Sequence, residues 1–468
     1  MSASNSLFQK KLSPLNAWAF SFACMIGWGA FVMPGTTFLP QAGVTCSLIA
    51  FGAATVAMCV VALNYYYLVR LHPQVGGLYP MVKMSFQQYV AFAASWAMGL
   101  AHLCCVSLNA RAMARLMRAA LEAVFDLHFH MFFLGTGIPL LEAAIVIAAI
   151  IVFAVFNARG IRQTAMIQTI GAIVLLVGVV IMLLFTAINI DPDVEIMEPL
   201  QAPGVSPAYG FMTVFVLTPL VYVGFDSLCS VSEELNFPLK RLGRILIISV
   251  LCGTFVYVAN IFTTLFGVTE EYGSWPNYLQ ALKGLPGFKM YPVRMSAKNA
   301  MGTLGSAIFL ISCFSATITS LVGFFTSISR MIYRMAQDGA LPQKLAKVDP
   351  KRGTPVNAVR TVAVLAFLLY MALNAYNSIE ELSAVATALG FGLCSLTALR
   401  EAAQLRDRRH ILLGAAGVLV CLFFLFFLLI PIRGLSDSIS QQGTFFIAVW
   451  VFLGIAVYAF SKRQKIDL

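Results

Sequence analysis

Met25-Ile26-Gly27-Trp28-Gly29-Ala30-Phe31-Val32-Met33-Pro34-Gly35 decides how this chain folds. The stretch closes an apolar run near 14–34. Two glycines one residue apart lower its helical preference, and Pro34 beside Gly35 weakens the next turn. A second run, near 206–232, is interrupted in the same way by Pro219-Leu220-Val221-Tyr222-Val223-Gly224-Phe225-Asp226-Ser227. In lipid a regular helix satisfies its own backbone, so an interrupted one is costly unless the break lines a cavity.

The surroundings establish that lipid is the solvent. Of 468 residues, 60% are hydrophobic and 11% charged, and the mean hydropathy is +0.85. A soluble domain carries about 25% charged residues. Apolar runs long enough to span a bilayer fall near 14–34, 44–69, 87–119, 139–156, 163–189, 206–232, 243–266, 297–333, 356–374, 380–400, 411–431 and 443–461. They are solidly apolar where a β-barrel would alternate. The expectation is an all-α integral membrane protein of about twelve transmembrane helices, with breaks in helices 1 and 6. One domain covers 1–468: a first repeat over about 14–190, an inverted second over about 206–402, and two additional helices over about 411–461. Met1–Lys11 is short and polar and no small-residue cleavage site follows the first run, so that run reads as a retained helix.

The net charge is +11, but the basic residues sit in short connectors, with no continuous basic stripe carrying interleaved aromatics. That pattern sets membrane orientation and excludes a nucleic-acid partner. With the N-terminus inside, most of the 31 Lys and Arg fall on one side, while Asp191, Asp193, Glu195, Glu198, Glu270, Glu271, Glu380 and Glu381 fall on the other. Both termini are expected in the cytoplasm and the protein in the plasma membrane (the inner membrane, if bacterial). Arg111, Arg115 and Arg118 share one helix face, as an outer-interface anchor or a funnel for anionic solutes. Glu233 and Glu234 lie near Lys240 and Arg241, which suits surface pairing or an inner gate. The ten cysteines fall in apolar segments without metal spacing and read as small buried hydrophobes.

Breaks in corresponding helices of two repeats point to a transport site. Unwinding frees backbone N–H groups, which receive a carboxylate, and carbonyl oxygens, which receive an ammonium or a metal cation. A solute bearing both charges, such as an α-amino acid, matches both. Gly27-Trp28-Gly29 is no nucleotide fingerprint, because Val32 stands where the third glycine belongs and no βαβ unit surrounds it. No P-loop is present to cradle ATP, so energy would come from an ion gradient or a counter-substrate.

The chain resembles the amino acid–polyamine–organocation (APC) transporters over nearly its whole length. The resemblance is carried by Gly27-Trp28-Gly29, by Pro73-Gln74-Val75-Gly76-Gly77-Leu78-Tyr79-Pro80, and by Asn157-Ala158-Arg159-Gly160. It continues in Gly224-Phe225-Asp226 with Glu233-Glu234 and Asn236-Phe237-Pro238. Its most specific part is Ser329-Arg330-Met331-Ile332-Tyr333-Arg334-Met335-Ala336-Gln337-Asp338-Gly339-Ala340-Leu341-Pro342, followed by Thr354-Pro355-Val356-Asn357-Ala358. The resemblance implies that a substrate carboxylate rests on the amides of Trp28 and Gly29, and that the amine meets carbonyls of Met25, Leu220 and Val223. Two positions depart from the family pattern: Trp28 is large where a small residue is usual, and Leu220 stands where many relatives place an aromatic gate.

The coupling ion is left open between sodium, protons and exchange. Asp226 is the one carboxylate the runs place deep in the membrane; it can face a cationic ligand, carry a proton, or accept bonds from the freed backbone. His102 in the third helix is a packing residue or a proton relay. In some proton-coupled relatives a fifth-helix lysine takes the place of sodium; the matching position here is Leu175. Sodium-coupled members of the fold place hydroxyls at positions matching Thr319 and Ser320, with carbonyls matching Ala23, Ile26 and Ala316, an oxygen set that suits a hard cation. The expected function is secondary transport of an amino acid or related amine by alternating access, in symport or antiport. The chain is not expected to be an enzyme, and no cofactor is expected beyond a coupling Na+ or H+. A membrane-embedded enzyme is the remote alternative, since no catalytic constellation accompanies Asp226.

Overall fold

A computed structural model describes residues 10–121, 130–133, 136–285, 287–374 and 379–466. The helices are α1 (Pro14–Met25), α2 (Gly29–Met33), α3 (Leu39–Leu71), α4 (Leu78–Ser85), α5 (Gln88–Leu121), α6 (Leu140–Ala158), α7 (Ile161–Ile188) and α8 (Pro207–Tyr222). They continue with α9 (Leu242–Phe266), α10 (Trp275–Leu282), α11 (Pro292–Met301), α12 (Thr303–Gln337), α13 (Val356–Asn374), α14 (Ile379–Gln404), α15 (Arg408–Leu429) and α16 (Gln441–Ile466). Two four-residue strands in one connector, His130–Phe133 and Thr136–Pro139, pair antiparallel as the one sheet among the described residues. The membrane-length segments are helical, as lipid requires.

Local chemistry sets where the first helix begins and fails. Ser13 caps α1 by accepting the Asn16 N–H at 3.2 Å, and Pro14 occupies the first turn, where no amide donor is needed. At Ile26 the backbone is extended, with φ −92° and ψ 110°, and winding resumes only at Gly29. Pro34 then opens a single wide turn, Pro34–Phe38, that runs directly into α3. A missing amide donor at proline is the local cause. α8 carries Pro219 and stops at Tyr222; Val223 is extended, Gly224 is left-handed, and a tighter 3-10 helix follows over Phe225–Glu234.

Ten helices among the described residues are long and apolar enough to cross a membrane. The runs predict about twelve, and the differences are local. α1 is cut to 12 residues by the break, and Gly29–Leu71 forms one apolar stretch of 43. The run near 356–374 yields a shorter apolar helix, Val356–Ala372. The run near 297–333 divides at Gly302 (φ +62°) into α11 and α12.

α1 and the 3-10 segment lie at the centre, enclosed by α3, α7, α9 and α12. Outward faces are apolar and exposed, as at Ile147, Ile151 and Val155 on α6 and Ile170, Ile173 and Val177 on α7. α16 lies at the rim, with 11% of its apolar window buried against 83% for α5. It is pinned by a reciprocal pair: Trp96 Nε1–H donates to Trp450 O at 2.8 Å, and Trp450 Nε1–H donates to Trp96 O at 3.0 Å. The two rings stack at 4.6 Å.

One end of the bundle is tied shut. Lys11 and Leu12 donate their amides to Glu234 O at 2.9 and 3.0 Å, and Asn236 N–H returns to Leu12 O at 3.0 Å. The Gln74–Gly77 turn closes over the 3-10 segment: Val75 N–H donates to Glu233 Oε1 at 3.0 Å and Gly76 N–H to Ser230 O at 3.1 Å. Glu234 and Arg330 are each 1% exposed and meet at 3.2 Å. This corrects the surface pairing expected with Lys240 and Arg241: the Glu234 carboxylate turns inward to a buried guanidinium. At the other end Arg111 faces Glu142 at 3.6 Å, partly buried, while Arg115 is exposed; the Arg118 side chain lies outside the described residues. Asp226 is therefore not the only buried acid, since Glu142 and Glu234 are buried too, each beside an arginine. All ten cysteines are free, with Cys59 and Cys252 half-buried and the others buried.

Candidate functional site

The two breaks meet back to back. Gly224 adopts φ +122°, and a Cβ there would sit 2.8 Å from both Cα and N of Met25. Only glycine permits that approach. Ser21 Oγ–H donates to Phe225 O at 3.2 Å across the same contact. Beside it lies a cavity offering about 70 Å³ to water-sized occupants. Met25, Gly27, Trp28, Gly29, Leu220 and Val223, named from the sequence, all line it. Met33, Leu108, Tyr257 and Phe324 complete a largely apolar wall, and Asn109, Ser320 and Glu380 supply its polar side chains.

The Trp28 backbone N–H donates to Asn109 Oδ1 at 3.0 Å. Asn109 Nδ2 in turn donates to Cys105 O at 2.8 Å and Ser320 Oγ at 3.1 Å. The Trp28 indole, large for its position, packs edge-on against Tyr291 at 5.0 Å. Leu220 leaves the aromatic position open, and the ring of Tyr257 lines the cavity from α9 instead.

Asp226, expected among the ligand-binding residues, does not line the cavity. It sits behind the break, 5% exposed, where Oδ1 accepts the Gly224 N–H at 3.0 Å. Its Oδ2 lies 3.1 Å from Nε2 of His102, itself 1% exposed and packed on Phe324. The carboxylate thus faces one freed amide and one imidazole, outside the cavity lining.

The hydroxyls of α12 converge on α1. Thr319 Oγ has three carbonyls around its one proton: Ser315 O at 2.8 Å, Ala316 O at 3.1 Å and Ala23 O at 3.2 Å. Ser320 Oγ–H donates to Cys24 O at 3.2 Å. Gln168 of α7, fully buried, donates Nε2–H to Thr319 O at 2.7 Å. Ile26 lies at the end of α1 and donates its amide to Phe22 O at 3.3 Å. Leu175 is buried two turns further along α7.

Asn109, Tyr257 and Phe324 are cavity residues the sequence reading passes over, and Glu380, read there only as an outward-leaning acid, also lines the cavity. Asn109 carried a usable signal: it is a polar residue two turns from His102 on the same face of an apolar helix.

The sequence profile of the family described as "Amino acid permease" matches residues 12–457. The chain is 23% identical to the branched-chain amino acid permease BcaP of Bacillus subtilis, over 98% of this chain and 94% of that one. It is 25% identical to BcaP of Lactococcus lactis, over 98% and 96%. It is also 25% identical to cationic amino acid transporter 4 of Mus musculus, over 82% of this chain and 58% of that protein.

Proposed function

The chain belongs to the amino acid permease family, whose members carry solutes across membranes and are not enzymes; from that premise we propose that it carries α-amino acids with apolar side chains by alternating access. One observation carries the reading: the two helix breaks touch at Gly224 and Met25 and share a single apolar-walled cavity. A zwitterion there has amide donors at Trp28 and Gly29 for its carboxylate and carbonyls at Met25, Leu220 and Val223 for its amine. Met33, Leu108 and Phe324 then receive an apolar side chain. The relatives named for branched-chain amino acids support this choice of cargo.

Counted as crossings, α1 with α2 forms the first span, α8 with its 3-10 extension the sixth, and α13 the ninth, which makes twelve arranged as two inverted sets of five plus two. The closed, arginine-bearing end faces the cytoplasm by the positive-inside rule, in a plasma membrane. Coupling is to sodium. Three carbonyls gathered around the single proton of Thr319 Oγ leave lone pairs to spare, and with Ser320 Oγ and Ile26 O they suit a hard monovalent cation. A second reading, proton coupling, is favoured by the buried His102–Asp226 pair directly behind the break. For cargo, Glu380 in the cavity wall favours a cationic side chain as the second reading.

Uptake into liposomes holding purified protein tests all of this. Labelled L-leucine is expected to accumulate under an inward sodium gradient, with lysine competing weakly. Thr319→Ala together with Ser320→Ala is expected to abolish the sodium response. A mixed pool of amino acids that stays outside under sodium and proton gradients alike would refute amino acid transport. Accumulation driven by protons alone would move the coupling to His102 and Asp226.

A further inference from the structure

The Trp28 N–H has a partner within the protein. Asn109 Oδ1 accepts it at 3.0 Å, and the carboxamide is held from behind by Cys105 O and Ser320 Oγ. A carboxamide and a carboxylate share one planar shape, so this oxygen stands where a carboxylate oxygen must stand to use the same amide. The carboxamide lies close against the break: a Cβ built on Gly27 would sit 2.5 Å from Asn109 Oδ1. The Asn109 side chain is 6% exposed, and what surface it keeps faces the cavity. One donor therefore serves two claimants.

We propose that Asn109 is an internal competitor for the carboxylate of the ligand, a specificity-determining residue that must surrender the Trp28 amide before an α-carboxylate can take it. The proposal rests on the reading of the cavity as an amino acid site. Competition of this kind weakens ligands that bear a carboxylate and leaves carboxylate-free ligands alone. A neutral hydrogen bond contributes about 1 kcal/mol net, which is about five-fold in a dissociation constant. Displacement also takes the Nδ2 donor from Ser320 Oγ, so the exchange is transmitted from α1 to α12.

Dissociation constants of L-leucine and of 3-methylbutylamine, its decarboxylated counterpart, are to be measured on the purified wild type, Asn109→Ala and Asn109→Leu. Alanine opens space and leucine keeps the volume; both release the Trp28 amide. Leucine is expected to bind about five-fold more tightly to both variants, with the amine unchanged within about two-fold. Equal shifts for the two ligands would reduce Asn109 to packing and overturn the proposal. So would tightening confined to Asn109→Ala, or weaker leucine binding in both. Unfolding midpoints report folding, and Asn109→Ser replaces a variant that does not fold. A wild type that fails to bind leucine overturns the amino acid reading and this proposal together, whereas a wild type that binds it with variants that do not discriminate overturns this proposal alone.

Discussion

At Gly224 a single hydrogen atom in place of a side chain lets two unwound segments touch. An alanine there meets Met25 main chain at 2.8 Å with φ at +122°, so backbone rather than a pliant side chain would have to shift. A left-handed non-glycine residue alone costs about 1–3 kcal/mol. Gly224→Ala is therefore expected to lower the unfolding midpoint and weaken leucine binding by more than about ten-fold, since about 1.4 kcal/mol suffices for that factor. Gly27→Ala meets only the far end of the Asn109 side chain, and thermal unfolding should rank it as the milder change. Asp226 separates charge from hydrogen bonding. Asp226→Asn keeps an acceptor for the Gly224 N–H and should hold the midpoint near the wild type. Asp226→Ala leaves that buried amide without an acceptor, at a cost of about 1–3 kcal/mol. Equal midpoints for the two variants would show that the carboxylate does not support the break.

Elements end where side chains reach their frayed amides, and α15 shows it with a titratable cap. Asp407 accepts the His410 backbone N–H at 3.3 Å, and its Oδ2 lies 2.8 Å from the His410 ring. The bond to the His410 side chain, then the backbone bonds, hold this exposed carboxyl below its usual value. A depressed folded value means that the cap stabilises above the ordinary Asp value of about 3.9 and is lost as pH falls through the folded one. Asp407→Ala should speed amide exchange in the first turn of α15 at neutral pH, and the difference from wild type should fade as pH drops through the depressed value of the Asp407 carboxyl. The helix breaks were legible because glycine and proline act on the chain locally: Gly27, Pro34, Pro219 and Gly224 each interrupt the element in which they stand. Partnerships across the bundle were not. Arg330 lies 96 residues from Glu234, and Asn109 lies 81 from Trp28, so no local pattern joins them.

For the molecule as a whole, one end is closed by backbone bonds and a desolvated ion pair, which the alternating access proposed above would have to part. Burying Glu234 against Arg330 at 1% exposure is costly unless both charges stay together. Glu234→Leu alone is expected to destabilise by about 3–5 kcal/mol, and adding Arg330→Met should restore part of it. Chemical unfolding of the two variants measures this; a double variant no better than the single would sever the pairing from stability. Composition and hydropathy revealed the membrane bundle and its broken helices, because they depend on what each residue does in lipid. They did not reveal which end is shut, because that depends on the Gln74–Gly77 turn and the N-terminal segment meeting the 3-10 helix in space.

The reciprocal indoles of Trp96 and Trp450 give the last span a keyed joint. A slip of one helical turn, about 5.4 Å, would pull both rings off their carbonyls at once. α16 can therefore sit in one register or come away entirely, and while it is seated it rides as a passenger on whatever displacement α5 makes.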